Sequence, residues 1–187
     1  MATEEEENFI KLTLLLTKPC RKLMIEVFTK RVHDKYAKCV VTFLNNNRSR
    51  ILRTKHGKNN EDKYFPPAGQ TNLNEWDIVM LYHMITFCHV PSISLHLKSI
   101  LDMRNELAHP GNVLVSCSDY RKYHTQIQNF IKDGLDYLKD NGLQKDISED
   151  VSRINQMAIS KDSVDLLRNL VLYMGKLEQK MDGKNLF

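Results

Sequence analysis

Arg104, Asn105 and His109 stand together in "SILDMRNELAHPGN", residues 99–112, and no other short stretch of the chain brings together so much usable chemistry. An imidazole exchanges a proton near neutral pH and serves as general base or acid. A guanidinium grips a phosphate through two parallel hydrogen bonds and steadies charge that develops on it. Five residues apart on an ideal helix, Arg104 and His109 stand about 140° from one another. Pro110, however, disfavours the α conformation at His109. The helix is therefore expected to end near Ala108, which lets His109 swing towards Arg104. Asn105, four residues before His109, can offer its amide to the imidazole. If the bound molecule is RNA, it brings its own nucleophile, the 2′-OH beside the phosphorus, and such a site needs no metal. Arg-x4-His alone is a weak pattern. The bland alternative is a solvated arginine and a histidine that caps a helix.

Other reactive side chains carry less. His83, His89 and His96 are six and seven residues apart, not the four that sets two ligands on one helix face, and Pro91 divides them. They are expected to be packing or surface histidines, with no metal site. Cys20, Cys39, Cys88 and Cys117 form no CxxC pair, which argues against a zinc ribbon or a redox dithiol. Reduced, mostly buried thiols are expected. Cys117 follows His109 by eight residues, but no oxyanion donor or third partner is visible for a Cys/His nucleophile. Trp76, Tyr82, Tyr120 and Tyr123 could stack on bases. Their helical spacing favours core packing instead.

The elements that must position these groups read as helices throughout. Thr3 with Glu6 has capping-box spacing, and Phe9, Leu12, Leu15 and Leu16 follow on one stripe. Pro19 suits the first turn of a second helix, whose apolar face is Leu23, Met24, Val27, Phe28 and Val32. "YAKCVVTFL" continues or restarts helix to Leu44. Residues 45–70, polar and basic and closed by two prolines, read as a long loop with at most a turn at Ile51 and Leu52. Its Arg48, Arg50, Arg53 and Lys55, beside His56, are either RNA contacts or a solvated loop. Next comes a helix capped by Asn72 with Glu75, apolar nearly all round and therefore central, which Pro91 ends. Ser94 is expected to cap the motif helix, and Ser118 to start a helix lined by Tyr120, Tyr123, Ile127, Phe130, Ile131, Leu135 and Leu138. The tail suggests helices over 148–158 and 162–181, the latter with Val164, Leu167, Leu170, Val171, Met174 and Leu177.

Composition sets the outer bounds. The 187 residues are 42% hydrophobic, enough to bury a core. Seven Gly and five Pro favour long helices over a turn-rich β architecture. The acidic start "MATEEEENFIK" lacks a secretory signal's basic and apolar regions, and no run approaches a membrane span. A cytoplasmic protein with no membrane association is expected. The net charge is only +4, but Arg21 to Lys63 holds twelve Lys and Arg against four acids. That local +8 leaves −4 for the rest. A basic section of this kind can meet phosphates, or simply be a solvated face. A nucleotide-binding class finds no Gly-rich phosphate loop.

"RNELAHPGN" following "LHLKSILDM" resembles the signature helix end of HEPN domains: Arg, a polar residue, three residues, then His. Arg104, Asn105 and His109 fill all three positions. "FPPAGQTNLNEWDIVMLYHMITFCH" resembles the preceding buried helix of one HEPN branch, found in the DAZ-interacting zinc finger protein and in many animal multidomain proteins. "NFIKLTLLLTKPCRKLMIEVF" resembles its N-terminal helices. The likeness runs from about residue 8 to 140. It implies an all-α bundle that dimerises. In active members two Arg…His motifs face one another and form one composite, metal-independent ribonuclease site, leaving a 2′,3′-cyclic phosphate and a 5′-hydroxyl. By that resemblance His109 is base or acid, Arg104 holds the phosphate, and Asn105 orients His109 or touches the substrate. Inactive members serve as interaction or nucleotide-binding modules.

The expectation is thus an all-α, HEPN-like bundle over residues 1–140 with a C-terminal helical extension over 141–187 packed on it. It would act on RNA as a homodimer, with no cofactor. The alternative is an inactive interaction or oligomerisation module of a larger immune or ubiquitin-related protein, with a protein partner.

Overall fold

A computed structural model describes residues 2–67, 69–109 and 114–166. The described residues hold helices and no strand. Helix α1, Glu4–Leu15, begins in the expected capping box: Glu6 N–H donates to Thr3 Oγ1 at 3.2 Å and Thr3 N–H to Glu6 Oε2 at 2.9 Å. Four glutamates in its first turn complement the helix dipole.

Pro19 does not open a separate helix. It lies inside a π turn, Leu16–Cys20, that leads straight into α2, Arg21–Tyr36. A proline ring clashes with the carbonyl four residues back, and the wider π turn accommodates it. Thr17 Oγ1 donates to Thr13 O at 2.8 Å across the same bend.

Residues 45–70 are largely helical, which corrects the long-loop expectation. Helix α3 spans Val40–Ile51, α4 Lys55–Asn59 and α5 Glu61–Tyr64. Only Phe43, Leu44 and Ile51 of α3 are buried. Between them Asn47 is half-buried and satisfies its amide on Phe43 O at 2.8 Å. A polar residue thus fills one position of the inward stripe and hides the helical period.

A 3-10 turn, Leu73–Glu75, uses Asn72 as its cap. Trp76 is extended and turns into the core, so α6 (Ile78–Cys88) starts from Asp77, whose Oδ1 accepts from Met80 N–H at 2.8 Å. The motif helix α7, Pro91–Leu107, starts at Pro91 itself. Ser94, the expected cap, instead donates its hydroxyl to Pro91 O. Helix α8, Cys117–Leu138, is capped by Ser116 rather than by Ser118, and α9, Asn141–Gln156, by Asp140. Helix returns at 161–166; the rest of the expected 162–181 helix lies outside the described residues.

Helix α2 is the axis of the bundle. It packs against α3, α6 and α8, while α7 pairs with α8 and α6, and α1 with α8 and α9. Phe28 meets Phe43 edge-on at 6.1 Å and Trp76 at 5.6 Å, and Trp76 meets Tyr64 edge-on at 4.9 Å. All four rings are buried. Where α8 crosses α2, Gly134 allows the close approach: a Cβ there would lie 2.5 Å from Leu23 Cδ2. Leu23 is itself fully buried and has no room to retreat. Alanine gains roughly 1 kcal/mol of helix propensity, but overpacking costs roughly 1–3 kcal/mol. Gly134→Ala is expected to destabilise by about 1 kcal/mol, and Gly134→Val by more, read as lower urea midpoints.

Candidate active site

The inward face of α7 is Ile93, Leu97, Ile100, Met103 and Leu107, all buried. That spacing turns Arg104 and Asn105 to the outer side of the last turn, Arg104 half-buried and Asn105 exposed. The helix stops where Pro110 requires. Ala108 is the C-cap, its N–H bonded to Arg104 O at 3.0 Å, and His109 N–H reaches Glu106 O at 3.3 Å. His109 is exposed just past the helix end. The amide of Asn105 turns to Arg104, accepting from Nη1 on Oδ1 at 3.3 Å. The last turn thus presents a guanidinium, an amide and an imidazole within six residues.

Two contacts across the bundle anchor this end. Tyr123 of α8, itself buried, donates its hydroxyl to Glu106 Oε2. Downstream, Val115 is buried and tied to α1: Asn8 Nδ2 donates to Val115 O at 3.2 Å, and Val115 N–H to Glu5 O at 3.2 Å. Asn8, one of two buried polar side chains among the described residues, is therefore spent on holding the segment that follows the motif.

Beside Arg104 lies a groove of about 350 Å³ walled by Thr17, Arg21, Trp76 and Asp77 among others. Arg21 holds one wall in place. Its Nε donates to Trp76 O at 2.7 Å, and Nη2 reaches Leu73 O at 3.5 Å and Asn74 O. Spacing alone did not single out Arg21, because its role depends on the 3-10 turn 52 residues away.

Arg48, Arg50, Arg53 and Lys55 are all exposed, but none lines that groove. Arg48 pairs with Glu61 at 2.8 Å and lies 4.9 Å from the Phe65 ring centroid. Arg50 lies 4.9 Å from that of Phe87. These two stack on the protein's own aromatics, while Arg53 lies in the α3–α4 turn and Lys55 opens α4.

A family model described as RiboL-PSP-HEPN matches residues 5–140. The chain belongs to the HEPN family. The match takes in α1 to α8 and the whole Arg104–His109 motif. No curated protein and no solved structure gives a significant match.

Around this HEPN motif the aromatic candidates resolve into packing. Among the described residues no group of three or more His, Cys, Asp or Glu side chains could hold a metal ion. None of their helices is long and apolar enough to cross a membrane. Trp76 and Tyr123 are buried, and Tyr82 and Tyr120 partly so. His96 lies 3.4 Å from Asp133, and His89 caps α6 in the left-handed region with φ 53°. All four cysteines are free thiols. Cys20 and Cys88 are buried, whereas Cys39 is exposed and Cys117 half-buried, a more open set than expected. A hydrogen bond to Glu4 holds the Cys117 thiol above its ordinary range, which disfavours a thiolate nucleophile.

His83 has a partner that spacing did not reveal. Its ring stacks on His56, centroids 4.0 Å apart, and His56 Nε2 lies 3.0 Å from Tyr64 Oη. Burial pushes the His56 imidazole down to about 4 from an ordinary 6.5, with the neighbouring His83 adding to the shift; burial lowers His83 too. Folded chains thus resist protonation that unfolded chains accept. This stability is complete above the unfolded value near 6.5 and is lost as pH falls towards 4. Between pH 7 and 5 the urea midpoint, followed by the emission of the single tryptophan, Trp76, is expected to drop more in the native chain than in His56→Gln.

Proposed function

We propose that this HEPN domain is a metal-independent endoribonuclease that works as a homodimer, with Arg104, Asn105 and His109 of each subunit in one composite site. The observation that carries the reading is the end of α7. There Arg104 lines a groove and meets Asn105, Asn105 and His109 are exposed, and the end is anchored to α1 and α8.

The chemistry follows from the residue types. One His109 takes the proton from the substrate 2′-OH. The oxygen attacks the adjacent phosphorus, the P–O5′ bond breaks, and an imidazole returns a proton to the departing 5′ oxygen. A 2′,3′-cyclic phosphate and a 5′-hydroxyl result. Arg104 of each subunit stabilises the charge on the phosphoryl oxygens, and Asn105 steadies the Arg104 guanidinium. Two histidines brought together by the dimer supply a base and an acid at once. The catalytic unit is residues 1–140, of the branch seen in the DAZ-interacting zinc finger protein, with 141–187 as an extension and a cytoplasmic setting. Arg53 and Lys55 are the better placed of the basic residues for distant RNA contacts.

The test is an unstructured oligoribonucleotide beside the same sequence made of deoxyribose, with the ends of any product mapped. Cleavage confined to ribose and ending in cyclic phosphate is expected. Cleavage of the deoxy strand, or 3′-hydroxyl ends, would overturn the assignment of the nucleophile.

A further inference from the structure

We propose that Tyr123 is a positioning residue of the motif: it holds the carboxylate of Glu106 away from His109 and from the phosphate that Arg104 receives. This rests on the ribonuclease reading above. Glu106 stands inside the motif, between Asn105 and His109, three residues before the imidazole. His109 directly follows the C-cap Ala108, and the turn that closes the helix joins the two residues through Glu106 O and His109 N–H at 3.3 Å. An unclaimed carboxylate at this point has two uses, both harmful to the reaction. It pairs with protonated His109, favouring the charged imidazole over the neutral one a base requires. It also repels an incoming phosphodiester.

The bundle supplies a competitor for that carboxylate. Tyr123 comes from α8, has 8% of its surface exposed, and donates its hydroxyl to Glu106 Oε2. Its ring is fixed by core packing, so the hydroxyl is pre-placed and costs little entropy to order. The phenol is protonated at any physiological pH, because burial and then Glu106 hold it above its ordinary range. It therefore remains a donor. The other charges near it are Asp119 and Lys122, the latter 5.5 Å from the ring centroid on the same helix.

A three-variant comparison separates positioning from packing. Tyr123→Phe keeps the ring and removes the hydroxyl, Glu106→Gln removes the charge, and the double variant removes both. In Tyr123→Phe the pH optimum of kcat/KM is expected to move up by about one unit, and KM to rise. The double variant is expected to regain the native optimum, because no carboxylate is left to misplace. An unmoved optimum in Tyr123→Phe, or a double variant displaced as far as the single one, overturns the proposal. If the native chain cleaves RNA and either of those results is found, this proposal alone fails. If the native chain does not cleave RNA, the ribonuclease reading fails and takes the proposal with it.

Discussion

His109→Ala is expected to lower RNA cleavage by about 100-fold or more, the usual contribution of a positioned acid–base group, with the fold unchanged. His109 is exposed and lies past the end of α7, and its hydrogen bond among the described residues is a backbone one, its N–H to Glu106 O. Replacing its side chain leaves that bond and the core in place, so the melting temperature should stay within a degree or two of the native value. The combination of lost activity with retained stability separates a catalytic histidine from a capping one. Arg104→Lys extends the argument. It keeps the charge but loses the planar fork, so kcat should fall even where RNA is still bound. An interaction module would be indifferent to both changes.

Trp76→Ala is the largest stability change expected. The indole is fully buried between Phe28 and Tyr64, and its backbone oxygen is the acceptor for Arg21 Nε. Truncating a buried tryptophan costs roughly 3–5 kcal/mol, a large share of the roughly 5–15 kcal/mol that holds a native domain. The loss is also local to the motif, because Trp76 walls the groove beside Arg104. Urea unfolding followed by circular dichroism should show a much lower midpoint. Residual cleavage should fall in step with the folded fraction, since no motif side chain is removed. A midpoint within about 1 kcal/mol of native would show that the aromatic cluster is not the core it is taken to be.

How far the sequence could be read depended on where the physics was local. The capping box at Thr3 and Glu6 and the stop of α7 before Pro110 each depend on a few adjacent residues, and both stand as expected. Within the motif, Asn105 meets Arg104 at the end of α7, where its spacing had pointed to the imidazole of His109. Where tertiary packing overrode local signals, the reading missed. Asn47 filled an inward position of α3 and made a helix look like a loop. Pro19 was absorbed by a π turn rather than placed at a helix start. Ala37, His89 and Lys139 end their helices at φ 48°, 53° and 54°, where glycine would have announced the stop. The stack of His56 on His83, and the Tyr123–Glu106 bond, join residues 27 and 17 apart in the chain, beyond the reach of any spacing rule.

The measurement that bears most directly on the central claim uses the native chain on an unstructured RNA with EDTA in excess, at concentrations where sedimentation shows a dimer. The account predicts cleavage that EDTA does not touch, with 2′,3′-cyclic phosphate at every new end. A folded dimer that leaves the RNA intact under these conditions would contradict it.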